Sequence, residues 1–196
     1  AAREQIRRLC TDERWTLLEM HTNAGFGAGM NLGVAEARRM GLDTFLLLNP
    51  DARIASIDLA VLRTRLEEHR AALLSPVVER PDGSIWFRGG ALDMDRGRTI
   101  SRRPNPRRHE LPWISGACML TSAEAWDRLG GFDEDYFLYW EDVDLSIRAG
   151  RTGVRTEVLD TARATHDDGG TQQNDSQSND SQSNDSQSND SRQILS

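Results

Sequence analysis

Apolar residues arrive along this chain in short bursts, set apart by turns rich in glycine, proline and charge. The opening "AAREQIRRL" reads as helix. "WTLLEM" (Trp15–Met20) is strand-like, "NAGFGAG" is a glycine-rich turn, and "MNLGVAEARRM" reads as a helix closed by Gly41. "TFLLL" (Thr44–Leu48) is a continuous apolar run of the kind covered on both faces, so this stretch predicts a β-α-β unit with parallel strands. Ser56 can cap a helix that places Leu59, Leu62 and Leu66 on one face. "ALLSPVV" predicts a strand, "RPDGS" a turn and "IWF" a hairpin arm. The Arg- and Pro-rich segment from Gly89 to Leu111 has little periodicity and reads as a loop. Beyond it "WISGACML" is strand-like, and Thr121 with Glu124 forms a capping box for a helix ending at Gly130-Gly131. "VDLSIRAG" reads as a helix with Asp144 and Arg148 paired at i,i+4, and "VRTEV" alternates like a strand. Alternating strands and helices predict an α/β sandwich.

Composition narrows the class. A chain of 196 residues has room for one sizeable core, and a net charge of −7 gives nucleic acid no overall basic surface. Cys10 and Cys118 fit neither a disulfide framework nor a metal knuckle, which points to reduced thiols and a cytoplasmic setting. No apolar run reaches the length of a membrane span. From Asn174 the pentamer "NDSQS" repeats; a tract with nothing apolar to bury is expected to stay disordered, so residues 1–170 are expected to form the domain and 171–196 a tail.

Three chemistries compete for the polar motifs. The turn at Gly25 and Gly27 lacks the third small residue of a dinucleotide fingerprint, since Met30 stands there. "DEDYFLYWEDVD" fails as a calcium loop, with Phe137 and Leu138 where an oxygen ligand and a glycine belong. A third reading joins two carboxylate sites. Asp51, in "LLLNPDARI", follows a buried strand, at the end where α/β sheets gather ligands; there it can hold a hard divalent cation. Glu141 and Asp142 open a helix behind the rings of Tyr139 and Trp140, and apolar walls raise a carboxylate's pKa toward that of a usable base. The helix N-terminus pulls the other way, and two acids that merely favour the helix dipole fit the spacing as well.

"NAGFGAGMNLGVAEA", "LLLNPDARI", "ISGACMLTSAEAWDRLGGFDEDYFLYWEDVDLSIRAGRTG" and "ATH" occur in that order, and together they resemble the family 2 glycosyltransferases of GT-A fold, in the rhamnosyltransferase-like branch. The resemblance covers most of Thr22 to His166. It implies a GT-A sandwich with a mostly parallel central sheet, here N-terminally truncated because strands that hold the nucleotide in relatives would precede Ala1. It implies inverting transfer of a sugar from a nucleotide-diphosphate donor, thymidine-diphosphate rhamnose or a uridine-diphosphate sugar, to a glycan or lipid-linked acceptor hydroxyl. By the same resemblance Asp142 is the catalytic base with Glu141 supporting it. Asp51 and His166 hold Mg²⁺ or Mn²⁺, Asn23, Gly25, Asn31 and Asn49 line the donor, and Tyr139 and Trp140 meet the acceptor. Location at the inner face of a membrane accords with a lipid-linked acceptor. Two other readings remain open: a non-catalytic nucleotide- or sugar-binding remnant, and a nucleotidyltransferase of related fold.

Overall fold

The computed structural model of the chain describes residues 2–13, 15–101, 106–107 and 110–167. The repeat tail lies outside the described residues. The elements run α1 (Ala2–Asp12), α2 (Phe26–Arg39), β1 (Thr44–Leu48), β2 (Ala52–Ser56), α3 (Leu59–Glu68), β3 (Ala72–Glu79), β4 (Ile85–Phe87), β5 (Gly90–Asp93), β6 (Arg98–Ser101), β7 (Glu110–Trp113), β8 (Cys118–Ser122), α4 (Ala123–Leu129), α5 (Glu141–Thr152) and β9 (Arg155–His166).

Among the described residues a six-stranded sheet has the order β1-β8-β3-β9-β2, with β4 added to β3. β3 and β9 pair in parallel. β8 lies antiparallel between β1 and β3, so β1, β3 and β9 all point one way. The expected common direction thus holds for these core strands, while β2, β4 and β8 run against it and make the sheet mixed. β3 is buried along seven of its eight residues, which is why "ALLSPVV" carries no polar face.

Several local expectations shift. Trp15–Met20 forms no strand, and Trp15, Leu17, Leu18 and Met20 are exposed: a strand-like pattern needs a neighbour to bond, and the described residues provide none. The β-α-β unit is therefore not seen. The helix after Ser56 is capped two residues later, by Asp58, whose carboxylate accepts from the N–H groups of Ala60 and Val61. At α4 the cap is Ser122, accepting from Ala125, because Thr121 is buried and spends its hydroxyl on the Ala72 carbonyl. The segment expected to be one loop folds into a second, three-stranded sheet, β6-β5-β7. Within it Arg96 and Arg98 reach the buried Asp93, and Arg88, just before it, meets Asp160.

The main core gathers Phe45, Leu47, Leu73, Val78, Met119, Leu145 and Ala164 around the sheet, and α5 packs its Val143, Leu145 and Ala149 face against it. Arg148 staples α5 to the end of α4: it meets Asp144 at 2.7 Å and donates to the carbonyls of Leu129 and Gly131. The "IWF" arm does form, as β4 antiparallel to β3.

Replacing Ser122 with alanine removes the α4 cap and the bond its hydroxyl makes to Arg70. The expected loss is about 1 kcal/mol, read as a lower midpoint in a urea melt with unchanged slope.

Candidate active site

One corner of the sheet collects the polar groups. β1 ends at Leu48, and Asn49-Pro50-Asp51-Ala52 follows as a tight turn, closed by the Ala52 N–H donating to the Asn49 carbonyl at 3.0 Å. Proline suits the second position of such a turn because its φ is already set. β2 then pairs antiparallel with β9, with Ala52 opposite His166. That register carries Asp51 to His166, whose Nε2 stands 3.2 Å from the Asp51 Oδ1. The contact is close but not aligned as a hydrogen bond, and both nitrogens of the buried imidazole lack hydrogen-bond partners. The Asn49 Oδ1 is buried and unpartnered as well. Buried polar atoms left without partners are costly, and ligands commonly account for them.

A second loop, Ile114–Ala117, joins β7 to β8 and ties this corner to α5. The Asn49 N–H donates to the Ala117 carbonyl at 3.0 Å. The Gly116 N–H donates to Asp142 Oδ2 at 2.9 Å, and the Val143 N–H donates to Asp142 Oδ1 at 2.8 Å. Ser146 accepts from the Ile114 N–H at 3.1 Å and donates to the Asp142 carbonyl at 2.7 Å. Each carboxylate oxygen of Asp142 therefore has a fixed donor. Burial raises the Asp142 pKa, and the N–H groups of Gly116 and Val143 only partly offset it. Glu141, beside it, is 7% exposed, and its Oε2 is unpartnered. Burial, with the neighbouring Asp142 charge, raises the Glu141 pKa too, although its own backbone N–H pulls it down.

The approach to α5 is strained. Tyr139 and Trp140 both have positive φ, 67° and 72°, where bulky side chains are rare. The two residues are 60% and 46% exposed. The chain spends that strain to turn the rings outward while Glu141 and Asp142 turn in.

Of the residues expected along the donor, three have structural duties here. Asn31 is committed to the acidic segment: its amide donates to the Phe132 carbonyl and to Glu134, and its oxygen accepts from the Phe132 N–H, all at 2.9 Å. The Asn23 side chain accepts from the Gly25 N–H. Gly25, at φ 92°, passes so close to Phe137 that a Cβ would stand 2.2 Å from its carbonyl oxygen, an oxygen that also accepts from the Phe26 N–H. Phe26 and Trp126 close edge-on against Phe132. α2 starts at Phe26 and takes in Gly27 and Gly29 of the expected turn, and with Asn23 and Gly25 before it buttresses the run that leads to Asp142. Asn49, Asp51 and His166 are brought together, and Asp142 with Glu141 is linked to them through Gly116 and Ala117. Sequence reading missed Gly116, and "SGA" offers no signal beyond a small residue beside a strand. It also missed Trp86, whose ring centroid lies 4.7 Å from that of His166.

Asp51 and His166 suit a divalent cation, as an oxygen and a nitrogen donor with open ring nitrogens. Among the described residues no group of three or more His, Cys, Asp or Glu side chains converges, so a cation there would take its other ligands from substrate and water. A separate groove, lined by Phe45, Leu46, Leu62, Leu66 and Leu120, includes none of these residues. No described helix is long and apolar enough to cross a membrane.

No protein-family model matches the chain. Individual proteins do. The N-acetylglucosaminyl-diphospho-decaprenol L-rhamnosyltransferase of Mycobacterium tuberculosis is 31% identical over 179 residues, covering 76% of this chain and 58% of that protein. The low-salt glycan biosynthesis hexosyltransferase Agl10 of Haloferax volcanii is 23% identical over 174 residues, covering 83% and 55%. The rhamnosyltransferase WbbL of Escherichia coli is 28% identical over 160 residues, covering 72% and 60%. The chain thus spans little more than half the length of these curated relatives. Among solved structures, GalNAc-T7 with UDP, GalNAc and Mn²⁺ matches with a TM-score of 0.57 at 16% identity, over 76% of this chain and 31% of that one, a likeness of fold. By these sequence relatives and this fold, the chain is a relative of the family 2, rhamnosyltransferase-like glycosyltransferases of GT-A fold.

Proposed function

We propose that the chain carries the catalytic half of an inverting glycosyltransferase that moves a sugar, rhamnose first among the candidates, from a nucleotide diphosphate to a hydroxyl of a glycan or lipid-linked acceptor. The observation that carries this reading is the linked pair of sites. Asp142, its carboxylate fixed by Gly116 and Val143, sits one hydrogen-bonded loop away from the turn bearing Asp51.

In this reading Asp142 accepts the proton of the acceptor hydroxyl as that oxygen bonds to the anomeric carbon. The bond from that carbon to the diphosphate breaks on the opposite face, which inverts the centre. Holding the carboxylate in place means little reorganisation is needed at the moment of transfer, and its raised pKa makes it a better proton acceptor than an exposed aspartate. Asp51 and His166 would hold a divalent cation, which would supply stabilisation of the charge developing on the leaving diphosphate. Tyr139 and Trp140 offer exposed rings on which an acceptor sugar can rest, and a sugar seated there keeps water from the donor.

Asp142→Asn is expected to lower transfer by at least about a hundredfold while leaving donor binding within about twofold, measured by product formation and by calorimetric titration of the nucleoside diphosphate. Equal activity in the variant removes Asp142 from the role of base. Asp51→Ala is expected to abolish the Mn²⁺ dependence of that binding, and unchanged dependence would exclude Asp51 as a ligand.

A third outcome concerns pH. A carboxyl whose folded pKa is raised supports the fold below its ordinary pKa and loses that support as pH rises through the folded value. Glu141→Gln is therefore expected to raise the melting temperature at neutral pH and to leave it unchanged below about pH 4, near the ordinary glutamate value. Thermal melts at several pH values read the difference.

A further inference from the structure

His166, read above as a cation ligand, lacks the anchor usual for such a residue. In ligating histidines the second ring nitrogen ordinarily donates to a carboxylate or carbonyl, and that bond fixes the orientation of the ring. Here neither nitrogen has a hydrogen-bond partner, although the side chain is buried. Something else has to hold the imidazole at its angle to Asp51.

The indole of Trp86 is in place to do so. Its centroid stands 4.7 Å from that of His166, with 38° between the planes. Register explains how it gets there. β4 pairs with β3 through Val78 opposite Phe87 and Glu79 opposite Ile85, so Trp86 is an extra residue, bulged out of the ladder. Such bulges re-aim a side chain, and they recur beside functional sites. β9 lies on β3 as well, with Glu79 opposite Thr165, which brings His166 alongside the bulge. The Phe87 ring lies 6.2 Å from the indole and packs in turn on Trp113 at 5.0 Å, so the indole also touches the buried aromatic core. An indole face also attracts positive charge, which an imidazole acquires when it ligates a cation.

We propose that Trp86 is a positioning residue for the cation site: the β4 bulge presses its indole against His166 and holds the imidazole ready to ligate, in place of a hydrogen bond. The inference rests on the reading of Asp51 and His166 as the cation ligands. Its consequence is that affinity for the cation depends on a ring that touches neither cation nor donor.

Mn²⁺ is titrated into the full protein with uridine diphosphate present, and free Mn²⁺ is followed by electron paramagnetic resonance. Trp86→Met, which fills the space without a ring, is expected to weaken Mn²⁺ binding about ten- to a hundredfold, the range for losing the outer support of a metal ligand. Trp86→Phe is expected to stay within about threefold of the parent, because it keeps a ring. On a His166→Ala background, Trp86→Met is expected to add nothing, since a residue acting through His166 has nothing left to act on. Trp86→Leu replaces Trp86→Met if the latter fails to fold in a thermal melt. Mn²⁺ binding unchanged by loss of the ring overturns the proposal, and so do losses from the two sites that multiply. A parent protein that binds no Mn²⁺ overturns the cation reading itself and this inference with it, a result distinguishable from a parent that binds and a variant that binds equally well.

Discussion

The bond from the Gly116 N–H to Asp142 is the constraint on which the site turns. A carboxylate that leaves water needs donors, and the one nearest in sequence, Val143, satisfies only one oxygen. The other oxygen is met by a backbone group 26 residues away. To bring it there, the strand pair β7–β5 and the strand pair β8–β1 have to meet at a loop of fixed length. At Gly116 a Cβ would stand 3.3 Å from the Phe26 ring, so a larger residue there would push on that ring. The same loop accepts from Asn49, so one loop ties the helix of the proposed base to the turn that bears Asp51.

Around this link the two faces of α5 divide their work. One face, with Val143, Leu145 and Ala149, is ordinary core. The first turn carries acids, one fully partnered and one buried with an unpartnered oxygen, and the segment before it is held by groups from α2: Asn31 on Phe132, and Phe26 on the Phe137 carbonyl. Residues expected along the donor thus also hold a strained approach in place. Tyr139 and Trp140 remain in left-handed conformations because both ends of their segment are tied.

Legibility in the sequence followed the range of the interactions. α5 and the Asp144–Arg148 pair are local and could be read directly, as could the buried strand β3 and the hairpin that joins it to β4. The cap at Asp58 was missed because two capping residues stand close together, and only packing chooses between them. The sheet β6-β5-β7 was missed because one of its two pairings is non-local, Gly90 with Trp113 for instance, and its strands of four residues each are too short to show alternation. The bridging part of Asn31 was invisible for the same reason, since its partner is 101 residues away. Pattern reports what a residue is suited to touch; only the pairing of distant strands decides what it does touch.

The joined loops also fix where this fold can vary in length. One residue inserted between Trp113 and Cys118 would have to be taken up in the loop that carries both the Gly116 bond to Asp142 and the Ala117 bond from Asn49, and would disturb one or both. An insertion at the tip of the β5–β6 hairpin, between Met94 and Gly97, would meet exposed backbone and disturb neither link. Natural diversity of chain length in this part of the protein is therefore expected at the hairpin tip, while the Ile114–Ala117 loop is held to a single length by two hydrogen bonds made from adjacent residues.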